Sequence, residues 1–341
     1  MLFAVRHLPL IAVLVAMTVL VTVAMDSPAK PQRSEPVRGM TISCHAWGWE
    51  WGTDEMVESM RELKALGVNW IAIHPYAGIR GDGTVGSRRY GDHGFEHLTR
   101  PIREAKALGL KIMIKPHLAY WGSPFSWRGD ITFETDEQWQ RFFTGYERWI
   151  VQMAEICHDA DAFVVGTELD KTIGHEKQWR RIISRVRASY GGTLTYAANW
   201  TDYQRVPFWD DLDAIGVQAY FPLTTQPGLP DKDDLNLAWA ALLKDLVAFS
   251  RRQGRPVVLS ELGYARSTNA ALRPWEGREG GEHADEIQRR CMAAALAALN
   301  DDEHVVGAFL WKWFTGPQRR SNFLMSTPAM RQVIAEHWRD Q

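Results

Sequence analysis

From about residue 39 onward two hydrophobic patterns alternate along the chain. One is a short apolar run with no polar alternation, at 40–45, 68–74, 110–116, 162–167, 193–198, 214–219, 256–260 and 305–310. Runs of this kind fit parallel strands covered on both faces. The other is a longer stretch with an apolar position every three or four residues, at 54–66, 95–108, 136–159, 176–190, 233–252, 283–300 and 325–339. That spacing predicts amphipathic helices; Leu235, Leu242, Leu246 and Phe249 share one face of the fifth. Two helix-to-strand joints repeat a local sequence, Arg61-Glu-Leu-Lys-Ala-Leu-Gly-Val and Arg103-Glu-Ala-Lys-Ala-Leu-Gly-Leu, with Gly67 and Gly109 as helix-ending residues.

Strands alternating with helices predict an α/β protein with a parallel sheet. Eight strand-led units over about 300 residues match the (β/α)8 TIM barrel as a single catalytic domain. The competing fold is an open doubly wound sheet. No G-x-G-x-x-G follows a strand and no P-loop occurs, which counts against it.

Upstream of this pattern lies a different one. Residues 8–25 are almost wholly apolar behind a short head carrying Arg6, which predicts that residues 1–25 are an export signal or a membrane anchor. Residues 26–38 are polar and proline-bearing and read as a linker, so the folded domain is expected over 39–341. The protein is therefore expected to be secreted or periplasmic, or held at the membrane by this segment alone.

Composition narrows the function. The 341 residues are 45% hydrophobic and 23% charged, with a net charge of −2 and no basic block, which excludes nucleic acid as an expected partner. The three cysteines, Cys44, Cys157 and Cys291, have neither disulfide-framework nor zinc spacing, and the last two fall in helical patterns as small core residues. Nothing in the pattern specifies an oligomeric state. Sixteen tryptophans stand out. Trp139, Trp149, Trp179 and Trp239 fall in helical patterns and are assigned to packing. Others stand just past strands, where a barrel collects its active-site residues.

Two strands end alike, Ala162-Phe-Val-Val-Gly-Thr-Glu168 and Pro256-Val-Val-Leu-Ser-Glu261. Each delivers a glutamate to the face where barrel chemistry occurs. Around them the same face gathers His45, Trp47, Trp49, His74, Tyr76, His117, Tyr120, Trp121, Asn199, Trp200, Tyr220 and Trp311. Two carboxyl groups among aromatic plates and imidazoles suit a carbohydrate, whose rings stack on apolar faces while their hydroxyls hydrogen-bond. Glycoside hydrolysis needs two such carboxyl groups, one protonated and one ionised. Trp47, His74, His117, Trp121, Thr167, Asn199, Trp200, Tyr220 and Trp311 are the expected substrate contacts. No metal or cofactor is required by this chemistry.

The motifs Val165-Gly-Thr-Glu168-Leu and Leu259-Ser-Glu261-Leu-Gly resemble the acid/base and nucleophile strands of clan A glycoside hydrolases. With Ala198-Asn-Trp200 and Phe309-Leu-Trp311-Lys-Trp, the chain is most similar to glycoside hydrolase family 113, from about Gly39 to the last strand. The resemblance implies a retaining β-1,4-mannanase, with Glu168 as acid/base, Glu261 as nucleophile, Tyr220 contacting the nucleophile and Trp311 as a sugar platform. One residue departs from the clan. Thr167 stands where most members place an asparagine that binds the sugar 2-hydroxyl, so that contact must differ or come from elsewhere, with Asn199 a candidate.

Two other readings remain. Imidazoles at strand tips could hold zinc in a barrel metallohydrolase, although the first strand has no His-x-His pair. A carbohydrate-binding barrel without turnover would keep the same aromatic cleft. The loops at 76–94, 119–133 and 264–282 are expected to shape the cleft ends and so decide endo against exo action.

Overall fold

The computed structural model describes residues 35–86, 94–299, 302–316 and 322–339. The expected export segment and most of the expected linker lie outside the described residues. Glu35 to Gln341 form one compact unit.

Eight parallel strands close into a barrel in chain order: β1 (Val37–Ser43), β2 (Trp70–Ile73), β3 (Lys111–Ile114), β4 (Ala162–Thr167), β5 (Thr193–Asn199), β6 (Ala214–Gln218), β7 (Val257–Leu262) and β8 (Val305–Phe314), with β8 pairing back onto β1. The helices are α1 (Asp54–Ala65), α2 (Glu96–Ala107), α3 (Asp136–Ile156), α4 (Glu176–Ser189), α5 (Lys232–Gln253), α6 (Ala284–Ala298) and α7 (Pro328–Trp338). The expected (β/α)8 TIM barrel is the fold observed. Between β5 and β6 the crossover is made by two short 3-10 turns, Tyr203–Arg205 and Trp209–Asp211.

Strand alternation sorts the core into two. Ala72, Met113, Ala162, Val164, Ala197, Val258 and Phe309 form the cluster inside the barrel, while Ile71, Ile73, Ile112, Ile114, Phe163 and Val165 face the helices. Gly39 pairs with Phe309, and a Cβ there would stand 2.4 Å from the phenyl ring, so only glycine lets that ring fill the barrel floor. Both repeated joints use left-handed glycines, Gly67 at φ 92° and Gly109 at φ 71°. Capping fixes helix starts: Thr135 and Gln138 form a reciprocal capping box on α3.

The chain departs from the expected pattern in two places. Strand β1 begins at Val37 and ends at Ser43, leaving His45 on the following turn. The stretches after β2 and β3 are not wholly loop. Pro75 and Pro116 lack the N–H that the barrel ladder needs, so the ladder stops, but the chain stays extended. Tyr76–Ile79 then pairs in parallel with His117–Ala119 and antiparallel with Val85–Gly86, making a small sheet at the rim.

The assigned core tryptophans are buried: Trp149 is 3% exposed and Trp179 and Trp239 are fully enclosed, while Trp139 is partly buried against the same cluster. Cys157 and Cys291 are buried free thiols. Among the described residues, no helix is long and apolar enough to cross a membrane.

Candidate active site

A cleft of about 510 Å3 opens at the C-terminal end of the barrel, with Glu168, Asn199, Trp200, Tyr220, Glu261 and Trp311 in its lining. A larger hollow of about 730 Å3 lies at α1 and the end of β8, lined by Asp54, Glu55, Glu58, Glu62 and Arg331. Its carboxylates are largely exposed; only the first cleft brings buried carboxyl groups together.

Glu261 sits near the end of β7 and is 4% exposed. Lys115, wholly buried just past β3, donates from Nζ to Oε1 at 2.5 Å and to the Ser260 carbonyl at 3.1 Å. The Tyr220 hydroxyl, two residues past β6, donates to Oε2 at 2.6 Å. Burial alone pushes the Glu261 carboxyl up, but the Lys115 charge and hydrogen bond, joined by Tyr220, outweigh it and hold the group below its ordinary value. Burial pushes the Lys115 ammonium below its ordinary value, with the Glu261 charge and hydrogen bond opposing it.

Glu168, one residue past β4, has the opposite balance. It is 8% exposed, and burial pushes its carboxyl up. Arg128, donating from Nη1 to Oε2 at 3.0 Å, pulls it down, the Glu261 charge pushes it further up, and the net direction is up. Its backbone adopts φ 51°, a left-handed conformation unusual for a glutamate, while its N–H still bonds the Ala197 carbonyl at 2.8 Å. Such a conformation costs on the order of 1 kcal/mol and is commonest where a side chain must be aimed. Two residues on, burial and the neighbouring Asp202 and Glu168 push the Asp170 carboxyl up to about 8.

The remaining expected site residues divide. Asn199 lines the cleft, and its Oδ1 is buried with no protein partner. His74 and His117 lie beneath the lining. Their rings stack at 5.0 Å and 19°, and both contact Trp311, at 5.3 Å and 6.0 Å. His117 Nε2 is 3.8 Å from Glu261 Oε1. Burial pushes both imidazoles well below their ordinary value, so they are neutral plates supporting Trp311. Thr167 is 1% exposed, outside the lining, and its hydroxyl donates to the Pro116 carbonyl at 3.1 Å. Trp47 and Trp121 gather on Tyr76 at the rim, ring centroids 6.2 Å and 5.2 Å from it, and are not part of the cleft lining.

Sequence reasoning missed Lys115, Arg128, Trp127 and Trp275. Lys115 carried a signal, since it follows an apolar strand just as Glu168 does. Arg128, Trp127 and Trp275 stand on long loops without periodicity, and only the fold brings them to the cleft. Among the described residues, no group of three or more His, Cys, Asp or Glu has an arrangement that could hold a metal ion.

Comparison with known proteins matches this arrangement to one family. The profile of Glycoside Hydrolase Family 113 matches residues 40–323. The family 113 β-mannanase AaManA of Alicyclobacillus acidocaldarius, solved in complex with ManMIm, is 26% identical with a TM-score of 0.77, covering 89% of this chain and 97% of that one. A family 113 β-1,4-mannanase complex, 22% identical with a TM-score of 0.78, covers 90% of this chain and 100% of that one. A β-glucuronidase of Ruminococcus gnavus, 11% identical with a TM-score of 0.59, covers 90% of this chain and 50% of that one and shares the fold alone. No curated protein matches the sequence.

Proposed function

We propose that this chain, which belongs to glycoside hydrolase family 113 and is a glycoside hydrolase, cleaves β-1,4-mannan with retention of anomeric configuration, using Glu261 as nucleophile and Glu168 as acid/base. One observation carries the assignment of roles. Two buried glutamates share a cleft and are driven in opposite directions, Glu168 up by burial and Glu261 down by Lys115 and Tyr220. Glycoside hydrolysis needs this division whether configuration is inverted or retained; retention, and with it the nucleophile role of Glu261, rests on the family resemblance.

In the first step the Glu261 carboxylate attacks the anomeric carbon while the Glu168 carboxyl gives its proton to the glycosidic oxygen. The bond from that carbon to the leaving sugar breaks and an ester to Glu261 forms. Esterification removes the Glu261 charge, which is one of the influences holding Glu168 up. Glu168, now ionised and paired with Arg128, is then suited to take a proton from the water that attacks the anomeric carbon, breaking its bond to the Glu261 oxygen and releasing the carboxylate. The second step restores both groups. Lys115 and Tyr220 hold the two Glu261 oxygens apart from other partners, so the carboxylate is aimed before substrate arrives.

The mannan reading rests on the two family 113 structures described as β-mannanases. Within the cleft, Asn199 belongs to the lining, whereas the Thr167 hydroxyl lies outside it and is taken by the Pro116 carbonyl. The metallohydrolase alternative loses support from the histidines, which pack as neutral plates. A barrel that binds without turnover has no use for oppositely tuned glutamates. Export of the protein by residues 1–25 belongs to the same proposal, and N-terminal sequencing of the mature protein checks it.

Product release from β-mannan, glucomannan, xylan, cellulose and galactan, beside Glu168→Gln and Glu261→Gln, tests the function. Release from mannan that both variants abolish is the expected result. Release from another glycan discards the mannan assignment, and full activity in either variant discards the residue roles.

A further inference from the structure

The barrel order divides the cleft into two arcs. Glu168 follows β4 and Glu261 ends β7, so β5 and β6 lie between them on one side and β8, β1, β2 and β3 on the other. Trp311 belongs to the β8 side, where the Lys115 Nζ stands 4.9 Å from its ring. With Trp311 as the sugar platform that the family resemblance implies, the sugar attacked by Glu261 rests on that side. Glu168 protonates the oxygen of the departing sugar, so the departing sugar lies toward the opposite arc.

An aromatic wall faces that arc, made by Trp200 from the end of β5 and Trp275 from the loop after β7, which reaches back to the segment following β6. Trp200 directly follows β5, and its ring packs edge-on against Phe221 at 5.9 Å. On its other neighbour, Trp275, it lies nearly parallel, at 5.6 Å and 22°. Both line the same cleft as the two glutamates. Trp275 is 47% exposed, and with Trp200 it forms a continuous aromatic surface in the cleft lining. Its loop is nevertheless pinned. The Ala271 carbonyl accepts from the N–H groups of Leu223 and Thr224 at 2.7 Å and 3.2 Å, and Arg273 pairs with Glu276 at 3.1 Å.

We infer that Trp275, backed by Trp200, is the platform for the sugar on the leaving-group side, and so determines preference for polymer over substrates with a small leaving group. The inference rests on the glycosidase reading and deepens it. A pyranose in a β-1,4 chain presents an apolar face to such a plate, and stacking of this kind adds a modest affinity that is lost when the ring is removed. Trp275 is a binding residue; it takes no part in proton transfer or attack.

The experiment compares two substrates in the full-length enzyme, Trp275→Ala and Trp275→Phe. One is a β-1,4-manno-oligosaccharide that needs a sugar on the leaving side. The other is the corresponding glycosyl fluoride, whose leaving group carries none. Trp275→Ala is expected to lower kcat/KM about tenfold on the oligosaccharide, chiefly through KM, a change that corresponds to about 1.4 kcal/mol. The fluoride reaction is expected to be unchanged, which also shows the variant folded, and Trp275→Phe is expected to recover most of the loss. Equal loss on both substrates, or no loss on either, overturns the platform. If the parent cleaves another glycan in place of mannan, the mannan reading falls and the same pair of substrates built on that glycan decides the platform. A parent that cleaves no glycan overturns both.

Discussion

Replacing Lys115 with methionine is the most informative single perturbation, because the two glutamates depend on it unequally. The ammonium is fully buried, bonded to Glu261 Oε1, and it opposes the burial that would otherwise keep that carboxyl protonated. Methionine keeps the length and apolar stem but not the charge. Removing one partner of a buried pair typically costs about 3–5 kcal/mol, because the other charge is left uncompensated. The Glu261 carboxyl escapes part of that cost by holding a proton. With Lys115 gone, burial is opposed only by the remaining hydrogen bonds, and the Glu261 pKa should rise.

The sign follows for both activity and stability. In the parent, the Glu261 pKa in the fold lies below its unfolded value, so the group contributes stability above the unfolded value that is lost as pH falls through the folded one. In Lys115→Met the folded value rises, so that contribution is diminished. The variant should be nearest the parent in stability at acid pH and fall behind it as pH rises. The acidic limb of kcat/KM, which should report ionisation of Glu261 in the free enzyme, should move up. Lys115→Arg should move it less. The assay is a pH profile of mannan hydrolysis with thermal unfolding followed at pH 5 and pH 8. An acidic limb that stays where it was in a folded Lys115→Met protein refutes the reasoning.

Three further outcomes follow from the same geometry. Arg128→Met removes the cation that pulls Glu168 down, so the basic limb of kcat/KM should shift upward while the acidic limb stays; a basic limb that moves down contradicts the assignment of Glu168 as acid. Tyr220→Phe deletes a charge-assisted hydrogen bond to Glu261 Oε2, worth about 1.5–3 kcal/mol, and should cut kcat/KM by roughly tenfold to a hundredfold with a smaller rise of the acidic limb, measured in the same profile. Asp170 should be largely protonated below its pKa of about 8, which is raised in the fold and therefore destabilising above the unfolded value. Asp170→Asn should accordingly leave activity at pH 6 nearly intact and match or exceed the parent in thermal stability at pH 8, checked by differential scanning calorimetry.

How much of this was legible in the sequence depends on which residues carried periodicity. The eight barrel strands and the helices are written in apolar runs and helical spacing, and Glu168 and Glu261 stood out because each ends such a run. The cleft lining of Asn199, Trp200, Tyr220 and Trp311 followed from strand ends alone. Depth was harder to read. His74, His117 and Thr167 also end or follow strands, yet His74 and His117 sit below the cleft floor and the Thr167 hydroxyl is taken by the Pro116 carbonyl. Position past a strand fixes which end of the barrel a residue occupies but not its height. The partners that tune the two carboxyl groups were hidden for different reasons. Lys115 carried the strand-end signal that Glu168 does but was overlooked beside the proline that closes the strand, and Arg128 stands in a loop segment whose path no spacing predicts. The small rim sheet was missed because Pro75 and Pro116 end the barrel ladder without ending the extended chain.

The central claim, a retaining mannanase with Glu261 as nucleophile, is tested most directly by following the first product of β-manno-oligosaccharide hydrolysis by proton NMR, before mutarotation. The account predicts that the newly released reducing end appears first as the β anomer. Initial release of the α anomer would contradict it, because inversion leaves no ester on Glu261.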